Sequence, residues 1–144
     1  MRIAVANRFW EANSGVVAQT SLERLRAFLG RCAIIESVQH IFVAVNHEED
    51  RSNTIRFLMD ENPLRTLAFP VIPWGRAVPA LNALLWNAAI RDCSHLLVCS
   101  TEVVLTQASV DILVHKGQVL KSATVDNYNV LNNDYYLTTS LIGQ

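Results

Sequence analysis

The feature that most constrains this chain is a repeated switch between two hydrophobic periods. Unbroken apolar stretches occur at Ile3–Ala6 and at Ile41–Val45 within His40–Asn46, and Leu64–Phe69 and His95–Cys99 are two further runs of strand character. Runs of this length and apolarity suit strands buried on both faces of a parallel sheet. The segments between them carry a helical period. Thr20 and Glu23 have capping-box spacing, Leu22, Leu25, Arg26 and Leu29 form a stripe, and Gly30 is a stop signal. Asp50 or Ser52 starts a second helix with Ile55, Leu58 and Met59 turned inward, and Asn62-Pro63 ends it. A third places Pro79 near its start, where a missing N–H costs little, and Leu81, Leu84, Leu85, Ala88 and Ala89 on one face. Its alanines let it lie close to a sheet. A fourth covers Thr106–Lys116, with Val110, Leu113 and Val114 inside and Gly117 at its end.

Strand and helix thus alternate from Ile3 to Gly117. This order predicts an α/β fold in three layers, a mostly parallel sheet with helices on both faces. After Gly117 the character changes. Val119–Val125 and Tyr135–Leu141 read as strands, joined by the Asn-rich stretch Asp126–Asp134, which predicts a C-terminal β-hairpin at the sheet edge. The chain reads as a single domain over 1–144, with a core over 1–117 and a hairpin extension over 118–144.

Composition narrows the function. Hydrophobic residues make up 51% and charged residues 17%, which excludes a disordered chain. So few charges also leave apolar area on the surface, and this predicts a homo-oligomer or a missing partner domain. Twelve basic residues against thirteen acidic give a formal net charge of -1, without the basic excess of a nonspecific nucleic-acid binder. No apolar run is long enough for a transmembrane segment, and the N-terminal run is too short for a signal peptide. Cys32, Cys93 and Cys99 are odd in number and form no CxxC pair. They read as small buried hydrophobes in a reducing, cytoplasmic setting.

Ligands of open parallel sheets bind beyond the carboxyl ends of the strands. Four segments fall there: Asn7-Arg8, Asn46–Asp50, Val71–Val78 and Ser100–Glu102. They contain no GxGxxG turn and no Gly-Lys-Ser/Thr ending, which disfavours dinucleotide and P-loop classes. His40, His47, His95 and His115 lack metal-ligand spacing, and Ser14, Ser37 and Ser100 sit in no nucleophile elbow.

One stretch carries a family likeness. Pro73-Trp74-Gly75-Arg76 leads into an Ala-rich helix with Asn82, and the strand His95-Leu96-Leu97-Val98-Cys99 leads into Ser100-Thr101-Glu102. This resembles the inverting, family 2 type glycosyltransferases of the GT-A fold, in which a glycine and a basic residue precede an Ala-x-Asn helix and the next strand ends in an Asp-x-Asp metal motif. Ile3–Asn7 and Val43–Asn46 resemble, more loosely, the first strand and the strand whose acid contacts the nucleotide base. The likeness covers about residues 1–117.

The resemblance implies a nucleotide-diphosphate sugar as ligand. Asn7 and Asn46 would lie near the base and Arg76 near the diphosphate, Gly75 and Asn82 would also bind the nucleotide, and Trp74 would stack on sugar or base. Ser100 and Glu102 would hold Mn²⁺ or Mg²⁺. Two departures are plain. Ser100-Thr101-Glu102 retains one carboxylate of the metal motif, and a register placing Cys99 and Thr101 at the acidic positions retains none. Asn46 replaces the base-contacting acid, although an amide still offers a donor and an acceptor to a uracil edge.

Each residue also has a plainer reading. Glu102 is then an exposed acid at a strand end, Arg76 a solvated cation, and Asn82 a local link between helix and loop. His47–Asp50 is then a charge cluster leading a helix rather than a metal site. Trp86 is expected in the core. The sequence leaves glycosyl transfer by this chain open. The alternative is a non-catalytic homo-oligomeric module that keeps the fold and has lost the chemistry.

Overall fold

Four parallel strands form the centre of the sheet. In the computed structural model, residues 2–10, 19–46, 57–58, 60, 65–119 and 130–132 are described. Strands β1 (Ile3–Phe9), β2 (Val38–Val45), β3 (Thr66–Pro70) and β4 (His95–Val98) stand in the order β3-β2-β1-β4. A short β5 (Val130–Asn132) pairs antiparallel with β4. The helices are α1 (Gln19–Ala33), α2 (Ala77–Ile90) and α3 (Gln107–Val119).

The chain moves outward from β1 to β2 to β3, then crosses back to place β4 on the other side of β1. Crossovers keep one hand, so reversing the direction of travel puts the crossing helix on the opposite face. The core divides accordingly. On one face Ile3, Val5 and Phe9 of β1 pack with Leu25, Phe28, Leu29 and Cys32 of α1 and with Val110 and Val114 of α3. On the other, Ala4, Ala6, Phe42 and Ala44 meet Ala80, Leu84, Leu85 and Ala88 of α2. The alanines on both sides bring α2 close to the sheet. The α/β class and the helices on both faces are therefore as the sequence predicts.

Several boundaries differ. β1 does not stop at Ala6: Asn7, Arg8 and Phe9 continue its ladder opposite Val43, Ala44 and Val45. The polar pair masked a strand end that backbone pairing supports. Thr20 lies inside α1 rather than capping it, and the helix runs past Gly30 to Ala33. Gly30 is exposed with open space around it, and continuing the helix buries Cys32 completely. Likewise α3 runs through Gly117 to Val119. Its start matches the expectation: Ser109 donates its N–H to Thr106 Oγ1 at 3.1 Å, and Thr106 N–H donates to Ser109 Oγ at 2.7 Å. This is a reciprocal cap.

Trp86 is not core but 67% exposed, as is Ile90 at 55%. Ala80, Leu84 and Ala88 face the sheet, and position 86 is turned about 200° from position 84. At the carboxyl edge of the sequence, β5 falls within the stretch read as an Asn-rich loop. The expected strand at 135–141, and that at 119–125 apart from Val119, lie outside the described residues. So does most of the second expected helix, of which Phe57, Leu58 and Asp60 are helical and Leu58 is fully buried. The three cysteines are free and buried. Burial pushes the Cys32 thiol up to about 12 and Cys99 up to about 11, which keeps them un-ionised at neutral pH. No helix among the described residues is long and apolar enough to cross a membrane.

Two histidines make stability pH-dependent. His95 is buried, with Nδ1 2.9 Å from Ser94 Oγ and Nε2 unpartnered among the described residues. Burial lowers its pKa, and burial together with Arg2 and Arg91 lowers that of His40. The unfolded chain, with histidines near the ordinary value of about 6.5, binds more protons below that pH than the folded chain does. Stability is therefore expected to be full above about pH 6.5 and to fall as the pH drops below it. Urea midpoints measured from pH 7 to 5 should decline, and the decline should be shallower in a His40→Gln/His95→Gln variant. An equal slope in both proteins would contradict this assignment.

Candidate functional site

The crevice where the strand order reverses lies between β1 and β4, beyond their carboxyl ends. The β1–β4 ladder ends at Ala6 opposite Val98, while β1 continues beside β2 to Phe9. Side chains alternate along β1, so Asn7 and Arg8 leave on opposite faces. Asn7 is buried and donates from Nδ2 to the Cys99 carbonyl at 2.8 Å, while its Oδ1 has no partner among the described residues. It joins β1 to the chain leaving β4.

Arg8 emerges on the α2 side. Its Nε donates to Asn46 Oδ1 at 3.1 Å, and its guanidinium lies 4.6 Å from the ring centre of Trp10. Its Nη groups bond to no other described residue. Burial lowers its pKa from the ordinary arginine value. It remains a cation, held in a partly desolvated position.

Asn46 follows β2 directly and is fully buried. Its Nδ2 donates to the carbonyls of Val71 and Pro73, both at 3.0 Å. Its backbone N–H donates to Phe9 O and its carbonyl accepts from Gly75 N–H, both at 2.9 Å. One amide therefore ties Arg8 to the loop after β3. Gly75 in that loop has φ +73°, and a Cβ there would lie 3.1 Å from Trp10 Nε1. Left-handed backbone and close approach to an indole both favour glycine.

Arg76 precedes α2 and is exposed, with no side-chain partner among the described residues. Together with Pro73, Ala77, Val78 and Pro79 it lines an open depression of about 420 Å³. Trp74 is half-buried in the same loop. Asn82 sits within α2 with a buried, unpartnered Oδ1. On the far side of the crevice, Ser100 and Glu102 are exposed in the turn after β4. Arg31 of α1 donates from Nη2 to the carbonyls of Thr101 at 3.0 Å and Val103 at 3.4 Å in that turn. Among the described residues, no group of three or more His, Cys, Asp or Glu could hold a metal ion. The His47–Asp50 cluster lies outside the described residues.

Asn46, Trp74, Gly75 and Arg76 thus share one loop system, with Asn7, Ser100 and Glu102 at β1 and beyond β4. Arg8 and Trp10 had no distinguishing signal in the sequence. Arg8 lay in a segment of interest, but its stack on Trp10 and bond to Asn46 are tertiary. Comparison with protein-family models, with curated proteins and with solved structures finds no match to this chain.

Proposed function

We propose that this chain is a GT-A-like domain that binds a nucleotide-diphosphate sugar at the carboxyl edge of its parallel sheet. The observation that carries the reading is Arg8, a partly buried guanidinium beside the strand-order reversal whose Nη donors meet no other described residue. A partly desolvated guanidinium is unfavourable by itself, and a diphosphate would complete it with charge-assisted bonds. Arg76, at the mouth of α2, offers a second guanidinium. Trp10 and Trp74 offer aromatic faces to a base or sugar.

The reading is one of binding. Glu102 is the one acid at this edge among the described residues. Calorimetric titration with UDP and GDP tests it. Saturable binding of at least one, tighter than that of uridine or inorganic phosphate alone, is expected. Absence of heat with both at several millimolar overturns the reading, and leaves the exposed Trp86 and Ile90 of α2 as the surface to explain.

A further inference from the structure

A GT-A site ordinarily neutralises its diphosphate with a divalent cation, and the described residues at this edge fit that cation poorly. Mn²⁺ and Mg²⁺ are hard ions that favour carboxylate oxygens. The turn after β4 offers one carboxylate, Glu102, and two hydroxyls, Ser100 and Thr101, with Glu102 and Ser100 exposed. The backbone oxygens of the same turn are engaged from below. Arg31 Nη2 lies 3.0 Å from Thr101 O and 3.4 Å from Val103 O. A half-buried guanidinium therefore sits against the turn where a second cation would have to bind, and the two would repel.

Positive charge is supplied instead from the other wall of the crevice. Arg8 is fixed there on three sides. Its Nε is held by Asn46 Oδ1, its plane lies by the Trp10 ring, and its backbone is locked in the β1–β2 ladder. Among the described residues these restraints leave the Nη groups as the unspent donors, in a fork that matches two phosphate oxygens. Asn46 in turn fixes Pro73, which lines the depression that Arg76 shares.

We infer that the diphosphate is held by Arg8 and Arg76 without a divalent metal, so that nucleotide binding by this domain is metal-independent. The inference rests on the nucleotide-sugar reading above. It adds that the degraded acidic motif and the immobilised arginine are two sides of one change. The negative charge lost from the β4 turn removes the metal, and Arg8 takes over its electrostatic role.

The test is a pair of UDP and GDP titrations of the whole chain, one in EDTA and one in millimolar Mn²⁺, repeated on R8Q and R76A. Equal dissociation constants within about twofold are expected in the two buffers. R8Q should weaken binding about tenfold or more in EDTA, the loss expected for a charge-assisted bond. R76A, at an exposed position that leaves the fold unburdened, should weaken it by a smaller factor. Melting curves of both variants separate lost contacts from lost folding. Binding that appears only with Mn²⁺, or that folded R8Q and R76A retain in full, overturns the inference while the nucleotide reading stands. Absence of binding in both buffers overturns that reading and the inference with it.

Discussion

Replacing Asn46 with alanine is expected to lower the unfolding free energy by about 2–4 kcal/mol. The side chain is fully buried and serves three partners at once: Arg8 Nε, Val71 O and Pro73 O. Truncation leaves a guanidinium N–H and two carbonyls short of partners, the Val71 carbonyl in a buried place and the other two groups in part-buried ones. Each such loss carries the desolvation cost of the stranded group, about 1–3 kcal/mol, and relaxation of the loop recovers part of it. Aspartate is not a rescue. A carboxylate would still accept from Arg8, but it cannot donate to Val71 and Pro73, and it would set a negative oxygen against both carbonyls. The amide is therefore a requirement of this loop. Urea unfolding of N46A and N46D should show lowered midpoints at unchanged slope. A loss below about 0.5 kcal/mol in both would show that the Arg8–Asn46–Pro73 chain does not hold the site.

Phe42→Ala is expected to cost more, about 3–5 kcal/mol. Phe42 is fully buried on the α2 face of β2, paired across the sheet with Ala6 and Leu67, in a cluster where Ala4, Ala44, Ala80 and Ala88 stand beside Leu84 and Leu85. It is the largest fully buried side chain in the layer between sheet and helix. Its ring also stacks on His40, with centres 5.7 Å apart, and lies 5.7 Å from the Arg91 guanidinium. Alanines have no volume to give, so the space left by the ring collapses poorly and the cavity penalty is near its upper range. Since a domain of this size is stable by about 5–15 kcal/mol in total, the variant should unfold at markedly lower urea or fail to accumulate. Phe42→Leu retains most of the volume and should lose far less. Similar losses for Ala and Leu would contradict the packing account.

The parts of the fold legible in the sequence are those written in apolar periodicity. The four central strands and the sheet-facing side of α2 follow from runs and stripes that burial alone explains, as at Ile41–Val45 and Leu84-Leu85. Boundaries were less legible because the signals at them are local and tertiary contacts override them. Gly30 and Gly117 read as stops, yet α1 and α3 continue through them. Asn7 and Arg8 read as loop, yet the ladder to β2 carries them as strand. Trp86 reads as core by residue type, but the alanines beside it are what the sheet accepts.

The candidate site divides in the same way. Its location beyond the strand ends follows from strand order, and Gly75, Arg76, Trp74 and Asn46 follow from their position in those loops. The Arg8–Trp10 stack, the Asn46 bridge to Pro73 and the hold of Arg31 on the β4 turn were not legible. Each joins residues that only the folded sheet brings together.

The most direct measurement is amide chemical-shift mapping of the isotope-labelled chain titrated with UDP and GDP. Saturable shifts concentrated at Arg8–Trp10, Asn46, Trp74–Arg76 and Ser100 are the predicted result. They would establish a diphosphate site at the strand-order reversal. Absence of saturable shifts, or shifts confined to the opposite edge around Ser37 and Ser94, would contradict it.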